Sequence, residues 1–173
     1  HMKELVEQLL FLARGDSGRN TLNKVKLDLN QMVSEVWEES QMIDEKHRYL
    51  FRGTDPAYMT GDIAMIKQSI RIFVQNAAKY SSDGADITLG VMLESGYVSY
   101  MIEDEGTGMN PGDLAHIFDR FYRSDEARNN ETGGSGLGLS IAKWIVDAHG
   151  GTIQVISRAD IGSRFVVRFP KIA

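Results

Sequence analysis

The sequence predicts an α+β fold: a two-layer α/β sandwich whose mixed, mostly antiparallel sheet is covered on one face by helices. Three observations lead there. Helical and strand patterns are interleaved without the strict alternation of a doubly wound parallel sheet. Alternating segments at 86–93 and 97–103 meet through Glu94-Ser95-Gly96, a hairpin signature. The clearest helical segments carry an apolar stripe that needs a layer to pack on. With 173 residues and 42% apolar content, the chain can bury one compact core and a small appendage.

In chain order, residues 2–14 place Met2, Leu5, Leu9 and Leu12 at the 3-4-3 spacing of a bundle seam, widened by Val6, Leu10 and Ala13. An ordinary amphipathic helix fits the same spacing. GDSGRN (15–20) stops it, with Gly15 at the C′ position, and is the best linker candidate. Residues 25–29 form a short strand, and 30–46 a helix capped by Asn30. Short strands at 49–52 and 58–60 flank a turn at 53–56. Asp62 caps a long helix reaching Tyr80, with Ile63, Ile66, Ile70, Phe73 and Ala77 as its buried stripe. After the hairpin, a short helix starts at Pro111. SDEARNNET (124–132) is polar and aperiodic, hence a loop. A helix over 136–149 ends at Gly150-Gly151, and strands at 152–157 and 163–169 close the chain.

Composition excludes several classes. There is no cysteine, so disulfides and zinc–thiolate sites are ruled out. A net charge of -5 argues against a nucleic-acid partner. No apolar run approaches the roughly 20 residues of a membrane span, and no leader pattern is present. His1-Met2 reads as a cloning scar, which implies a natural chain extending upstream.

The stretch TGGSGLGLSIAKWIVDAHGG (132–151) opens a helix with glycines, although each costs roughly 1 kcal/mol there relative to alanine. Neither a P-loop nor a dinucleotide fingerprint matches it. Exposed N–H groups at a helix start suit an anion, and glycines let phosphate oxygens approach; a tight loop before a packed helix fits as well. Asp104 follows Val98, Tyr100 and Ile102 on one strand face, so its carboxylate points inward and needs a partner. An exocyclic amine would serve, or Asp104 caps the 106–108 turn. On the 62–80 helix, Ile72, Asn76, Lys79 and Tyr80 cluster on one side. Asn76 offers a hard oxygen for Mg²⁺, Lys79 suits phosphate and Tyr80 a base; an ordinary polar helix end would look the same.

Taken together, QNAAKYS (75–81), DEGTGM (104–109) and GGSGLGLSIAK (133–143) resemble the catalytic ATP-binding domain of sensor histidine kinases. IFDRFYRSD (117–125) is similar to that family's F box, which separates kinases from other members of the gyrase, Hsp90, histidine kinase and mismatch-repair ATPase superfamily. The resemblance covers about residues 25–170. Residues 5–14 resemble the tail of the preceding dimerisation-and-phosphoacceptor helix. It implies a Bergerat-type ATP-binding fold, with a helix tail and linker at 1–20 and the catalytic domain at 21–173.

By that resemblance, Asn76 holds Mg²⁺, Lys79 contacts phosphate, Tyr80 lines the adenine pocket and Asp104 accepts from the adenine amine. Gly106 and Gly108 let the turn pass the base, with Met109 beside it. Arg123 reaches the γ-phosphate. Gly134, Ser135, Gly136, Leu137 and Gly138 cradle the phosphates beneath a lid at 124–132, with Phe118 and Phe121 at its base. Gly162 to Phe165 match the last glycine box, with a structural role. One departure stands out: the family's usual asparagine four residues before the metal ligand is Ile72 here. The implied partners are ATP with Mg²⁺, the dimerisation/phosphoacceptor domain of the same kinase, and a response regulator. Nucleic acid and direct membrane contact are not implied. The setting is the cytoplasmic part of a membrane-anchored kinase. No histidine in the chain sits in an acceptor motif. Two other readings share the fold: an anti-sigma-type serine kinase, and a degenerate nucleotide- or partner-binding module.

Overall fold

A computed structural model describes residues 2–123 and 136–172. Its elements are α1 (Met2–Asp16), β1 (Val25–Asp28), α2 (Leu29–Ile43), β2 (Arg48–Arg52), β3 (Tyr58–Gly61), α3 (Ile63–Tyr80), β4 (Asp86–Glu94), β5 (Tyr97–Asp104), α4 (Pro111–Leu114), α5 (Gly138–Ala148), β6 (Thr152–Arg158) and β7 (Gly162–Pro170). The loop at 124–132, together with Gly134 and Ser135, lies outside the described residues.

Five strands form one sheet in the order β2-β4-β5-β7-β6. β2 runs parallel to β4, and the other three pairings are antiparallel. The mixed, mostly antiparallel sheet expected from the sequence is therefore present. β1 and β3 make a separate antiparallel pair. So the two short strands around the 53–56 turn belong to different sheets.

Side chains alternate across the large sheet with period two. Ile87 and Leu89 of β4, Val98, Tyr100 and Ile102 of β5, and Phe165, Val167 and Phe169 of β7 are buried on one face. There they meet Leu29, Val33 and Val36 of α2, Ile66, Ile70 and Phe73 of α3, and Ala142 and Val146 of α5. The other face carries cross-strand ion pairs, Glu103 with Arg164 at 2.8 Å and Glu94 with Arg168 at 2.9 Å. Asp104 ends β5 on the covered face and is buried.

Helix ends follow local chemistry, with corrections. The Asp62 carboxylate accepts from the Met65 N–H at 3.1 Å and caps α3. α2 is capped by Asp28, which accepts from the Asn30 N–H at 3.0 Å. Asn30 is not the cap; its side-chain oxygen accepts from the Thr54 N–H at 2.9 Å and fixes the 53–56 turn. Ile63 faces outward in the first turn of α3, and Val74 joins the buried stripe instead. Gly15 does not end α1. The helix runs to Asp16, and Gly18 takes the left-handed position at φ 73°.

α1 lies against α5. Leu12 is buried with Leu137, Ile141 and Ile145, while Leu5, Phe11, Met65, Ile72 and Trp144 pack around them. Phe11 meets Trp144 edge-on at 5.3 Å. Asp16 accepts two hydrogen bonds from Arg120, at 2.7 and 2.8 Å. Of the 3-4-3 seam, only Leu5 and Leu12 are covered; Met2 and Leu9 are exposed.

Candidate functional site

A cleft opens where α3 ends. It is bounded by the loop after β5, the segment 109–123, the start of α5 and the β6–β7 turn. It has two lobes that share one wall: Asn76, Lys79, Tyr80, Ile117, Tyr122, Arg123 and Leu139. The first lobe, about 350 Å³, adds Asp104, Thr107, Gly108, Met109, Asp160 and Ser163. The second adds Ile72, Gln75, Gly136 and Gly138, together with Glu4, Leu5 and Gln8 from α1. Such a cavity is sized for a small ligand with an apolar part and a few polar fixing points.

In the first lobe the Asp104 carboxyl is 7% exposed. Burial raises its pKa, and backbone hydrogen bonds from Gly106 and Ser163 partly offset that. The Gly106 bond is 2.9 Å long. Asp104 therefore caps the turn and also lines the lobe. Thr107 donates its N–H to the Tyr80 carbonyl at 3.2 Å and accepts from the Asp160 N–H at 2.6 Å. The turn is thus tied to α3 on one side and to the β6–β7 turn on the other. Gly108 sits at φ 65°, and a Cβ there would run into the Arg158 carbonyl. The close approach that the glycines permit is to the protein's own backbone.

The shared wall gathers the cations. Lys79 and Tyr80 end α3, and Arg123 reaches the same wall from the segment after α4. Burial lowers the Lys79 pKa, and the nearby Arg123 charge lowers it further. Burial raises the Tyr80 pKa; Arg123 opposes that rise and Asp113 adds to it. Two positive groups held together in a partly buried wall repel each other, and a polyanion between them relieves the repulsion.

In the second lobe, Gly136 is at φ 74°, and a Cβ there would lie 2.7 Å from the Phe121 carbonyl carbon. The Phe121 N–H donates to the Gly136 carbonyl at 2.9 Å, which stitches the F-box segment to the glycine run. Gly138 is different: the nearest neighbour of a Cβ would be Ile72 Cγ2 at 3.7 Å, ordinary contact. α5 begins after Leu137 with no side-chain cap. Gly138 and Leu139 of its first turn line the lobe, and a helix start attracts an anion.

Asn76, Lys79, Tyr80, Asp104, Gly108, Met109, Arg123, Gly136 and Gly138 all line the cleft. Leu137 does not bring its side chain there; it is fully buried in the α1–α5 cluster. Gly106 stands behind the lining, bonded to Asp104. Phe118 packs edge-on to Phe165 at 6.5 Å, whereas Phe121 is exposed. Sequence reasoning missed Asp113, Tyr122, Asp160 and the buried Ser81 hydroxyl, which has no hydrogen-bond partner among the described residues. None of these lies on a periodic face. The detectable signal was Asn110-Pro111 opening a helical turn that carries Asp113.

The three described histidines make local hydrogen bonds. The His149 Nε2 accepts from the Asp62 N–H at 3.0 Å and its Nδ1 donates to the Ile145 carbonyl at 2.7 Å. Burial lowers its pKa and keeps it neutral. His116 and His47 pair with Asp119 and Asp44. Among the described residues, no three His, Cys, Asp or Glu side chains could hold a metal together. No described helix is long and apolar enough to cross a membrane.

The model of the family "Histidine kinase-, DNA gyrase B-, and HSP90-like ATPase" matches residues 61–173, and the chain belongs to that family of ATP-binding domains. It is similar to the sensor histidine kinase YkoH of Bacillus subtilis, 37% identical over 98% of this chain and 37% of YkoH. It is similar also to the sensor histidine kinase CusS of Escherichia coli K12, 34% identical over 98% of this chain and 35% of CusS. The chain thus spans little more than a third of these curated relatives. Among solved structures, the Acinetobacter baumannii histidine kinase AdeS is 25% identical, with a TM-score of 0.75 over 99% of this chain and 79% of AdeS. Full-length ShkA, solved in complex with AMPPNP, shares the fold with a TM-score of 0.86 over 100% of this chain and 36% of ShkA, at 24% identity.

Proposed function

We propose that this chain is the catalytic ATP-binding domain of a two-component sensor histidine kinase, the activity named for its curated relatives. The observation that carries the reading is the two-lobed cleft. A buried carboxylate stands at one end, an uncapped helix start at the other, and Asn76, Lys79 and Arg123 line the wall between. Adenine fits the first lobe, with its 6-amino group donating to Asp104. Met109 packs against the base and Tyr80 lines its pocket. The phosphates run along the shared wall to Gly136 and Gly138, meeting Lys79 and then Arg123, which neutralise charge spreading on the γ-phosphoryl group. Gly134, Ser135 and a lid at 124–132 belong to the same reading.

The donor set fits Mg²⁺ held the usual way for a nucleotide. With no protein-only cluster among the described residues, Asn76 would hold the ion through its amide oxygen, alongside the nucleotide's own oxygens. Bound there, the ion would supply positive charge that offsets the charge of the phosphates. The reaction moves the γ-phosphoryl group from ATP to an imidazole nitrogen, leaving ADP. The acceptor histidine belongs to a dimerisation/phosphoacceptor domain outside these 173 residues. His149 is buried and bonded at both nitrogens, so it is not that acceptor. The phosphohistidine then supplies an aspartate of a response regulator. The kinase works in the cytoplasm, anchored to the membrane by segments outside this chain.

The test is calorimetric titration with a non-hydrolysable ATP analogue, with and without Mg²⁺, followed by addition of a dimerisation domain carrying its histidine. Magnesium-enhanced binding and label on histidine are expected. Label on a partner serine would favour the anti-sigma-type reading. Binding without any transfer would favour a nucleotide-binding module.

A further inference from the structure

Asp113 poses an electrostatic question. It lines a cleft whose wall is cationic, where a carboxylate would repel an incoming polyphosphate. Its position is deliberate. Asp113 sits in the first turn of α4, and its N–H bonds to the Asn110 side chain at 2.9 Å. Its own Oδ1 accepts from the Tyr122 hydroxyl at 2.5 Å, a short charge-assisted bond.

Tyr122 is the residue before Arg123, in a segment whose path is unusual. Phe121 is at φ 65°, a left-handed conformation that a phenylalanine adopts only under outside constraint. The Phe121 N–H is held by the Gly136 carbonyl at 2.9 Å, and the Tyr122 N–H by the Asp119 carbonyl at 3.2 Å. The His116 ring lies 5.4 Å from the Tyr122 ring. The phenol bond to Asp113 fixes this segment on the side of the first lobe. Tyr122 and Arg123 both line the two lobes. A guanidinium on a long stem loses much rotamer freedom when it is held, and anchoring the backbone just before it lowers that cost.

We infer that Asp113 and Tyr122 are a positioning pair: the phenol-to-carboxylate bond holds the 121–123 segment so that Arg123 faces the terminal phosphate. The inference rests on the reading of Arg123 given above. The pair acts through Arg123 and is no ligand of the phosphate itself in this inference. The pair contributes to discrimination between ATP and ADP, not to affinity for the adenosine part.

The experiment measures binding of ADP and of the β,γ-imido analogue of ATP by calorimetry, each with Mg²⁺, for the whole chain and five variants. Arg123→Ala should remove most of the preference for the triphosphate. Tyr122→Phe should lower affinity for the triphosphate about 3- to 10-fold and leave ADP within about twofold. Asp113→Leu should match it, while Asp113→Asn keeps an acceptor oxygen and should keep most of the preference. Tyr122→Phe added to Arg123→Ala should cost nothing further, since both act through one group. Equal losses for the two nucleotides would mean a merely structural role and overturn the pairing. So would an unchanged preference in Tyr122→Phe beside a reduced one in Arg123→Ala. If Arg123→Ala itself leaves the preference intact, the assignment of Arg123 fails and the pairing fails with it.

Discussion

Ile72 faces Gly138 across the floor of the second lobe, its Cγ2 3.7 Å from where a Gly138 Cβ would stand. The same side chain packs against both apolar clusters, the main core and the one beneath α1. Isoleucine at this position therefore serves as a joint between α1, α3 and α5, where it offers no oxygen to a metal.

Ile72→Asn should separate the two roles. Losing apolar burial at a half-buried site costs roughly 1–2 kcal/mol, seen as a lower melting temperature. The added amide oxygen, one turn before Asn76, should strengthen the Mg²⁺ enhancement of ATP-analogue binding. If calorimetry gives the same ratio of affinities with and without Mg²⁺ as the parent, position 72 does not meet the metal.

Asp104 gives a prediction with a sign in pH. Burial raises its carboxyl pKa in the unliganded protein. A raised folded value means that the charged form costs stability above the ordinary carboxylate range, and that this cost is relieved as pH falls. Asp104→Asn should thus leave the unliganded protein as stable or make it more so. Binding runs the other way, because only the ionised carboxylate accepts well from an amine. Affinity for the ATP analogue should fall as pH drops through the raised value. Asp104→Ala should lose about 10- to 100-fold at neutral pH. An affinity equal to the parent's would sink the adenine assignment.

Much of this was legible in the sequence because the chemistry lay in contiguous runs. Period-two alternation in β5 placed Asp104 on the core face, and helical spacing put Asn76, Lys79 and Tyr80 together. What escaped was set by contacts between distant segments. Gly15 looks like a helix stop until Trp144 is seen against it. Asn30 looks like a cap, but Asp28 is extended and already reaches the Asn30 N–H. Asp113 and Tyr122 are nine residues apart across a non-helical turn, where no periodicity predicts a meeting. Leu137 sits within the glycine run, yet it belongs to the core because α1 covers it.

His47 and His149 should bend the pH–stability curve in opposite directions. The His47 Nδ1 lies 2.6 Å from Asp44 and its Nε2 lies 3.0 Å from the Ser81 carbonyl. Both neighbours are acceptors, so the ring donates from both nitrogens and is charged. Burial works against that charge, but Ser81, Asp44 and Asp83 outweigh it, and the pKa is raised. Its contribution is complete below the ordinary histidine value and is lost as pH rises through the folded one. His149 is lowered by burial. Its contribution is present above the ordinary value and is lost as pH falls through the folded one. Urea midpoints between about pH 5 and 9 should lose their alkaline slope in His47→Gln and their acid slope in His149→Gln. His149→Ala should also cost roughly 1–3 kcal/mol by leaving the Asp62 N–H without its acceptor. Parallel curves for parent and variants would refute both assignments.

The contact between Gly15 and Trp144 tests how α1 is held. A Cβ on Gly15 would stand 2.5 Å from the indole Nε1 and 2.7 Å from Cε2, so any larger residue displaces the ring or the helix. Gly15→Val should cost about 1–3 kcal/mol by overpacking. Breaking the exposed Asp16–Arg120 pair with Arg120→Ala should leave stability almost unchanged. The second Trp, Trp37, donates to the Tyr49 carbonyl away from α1. A Trp37→Phe background therefore leaves fluorescence that reports Trp144 alone. Undocking of α1 removes Phe11 and Leu12 from the indole's surroundings, so emission should shift to the red. It also removes Glu4, Leu5 and Gln8 from the second lobe. Binding of the ATP analogue should then change while binding of adenosine stays as it was. A red shift with neither affinity altered would confine α1 to packing. A change in both would mean that the disturbance has spread through α5 to the base.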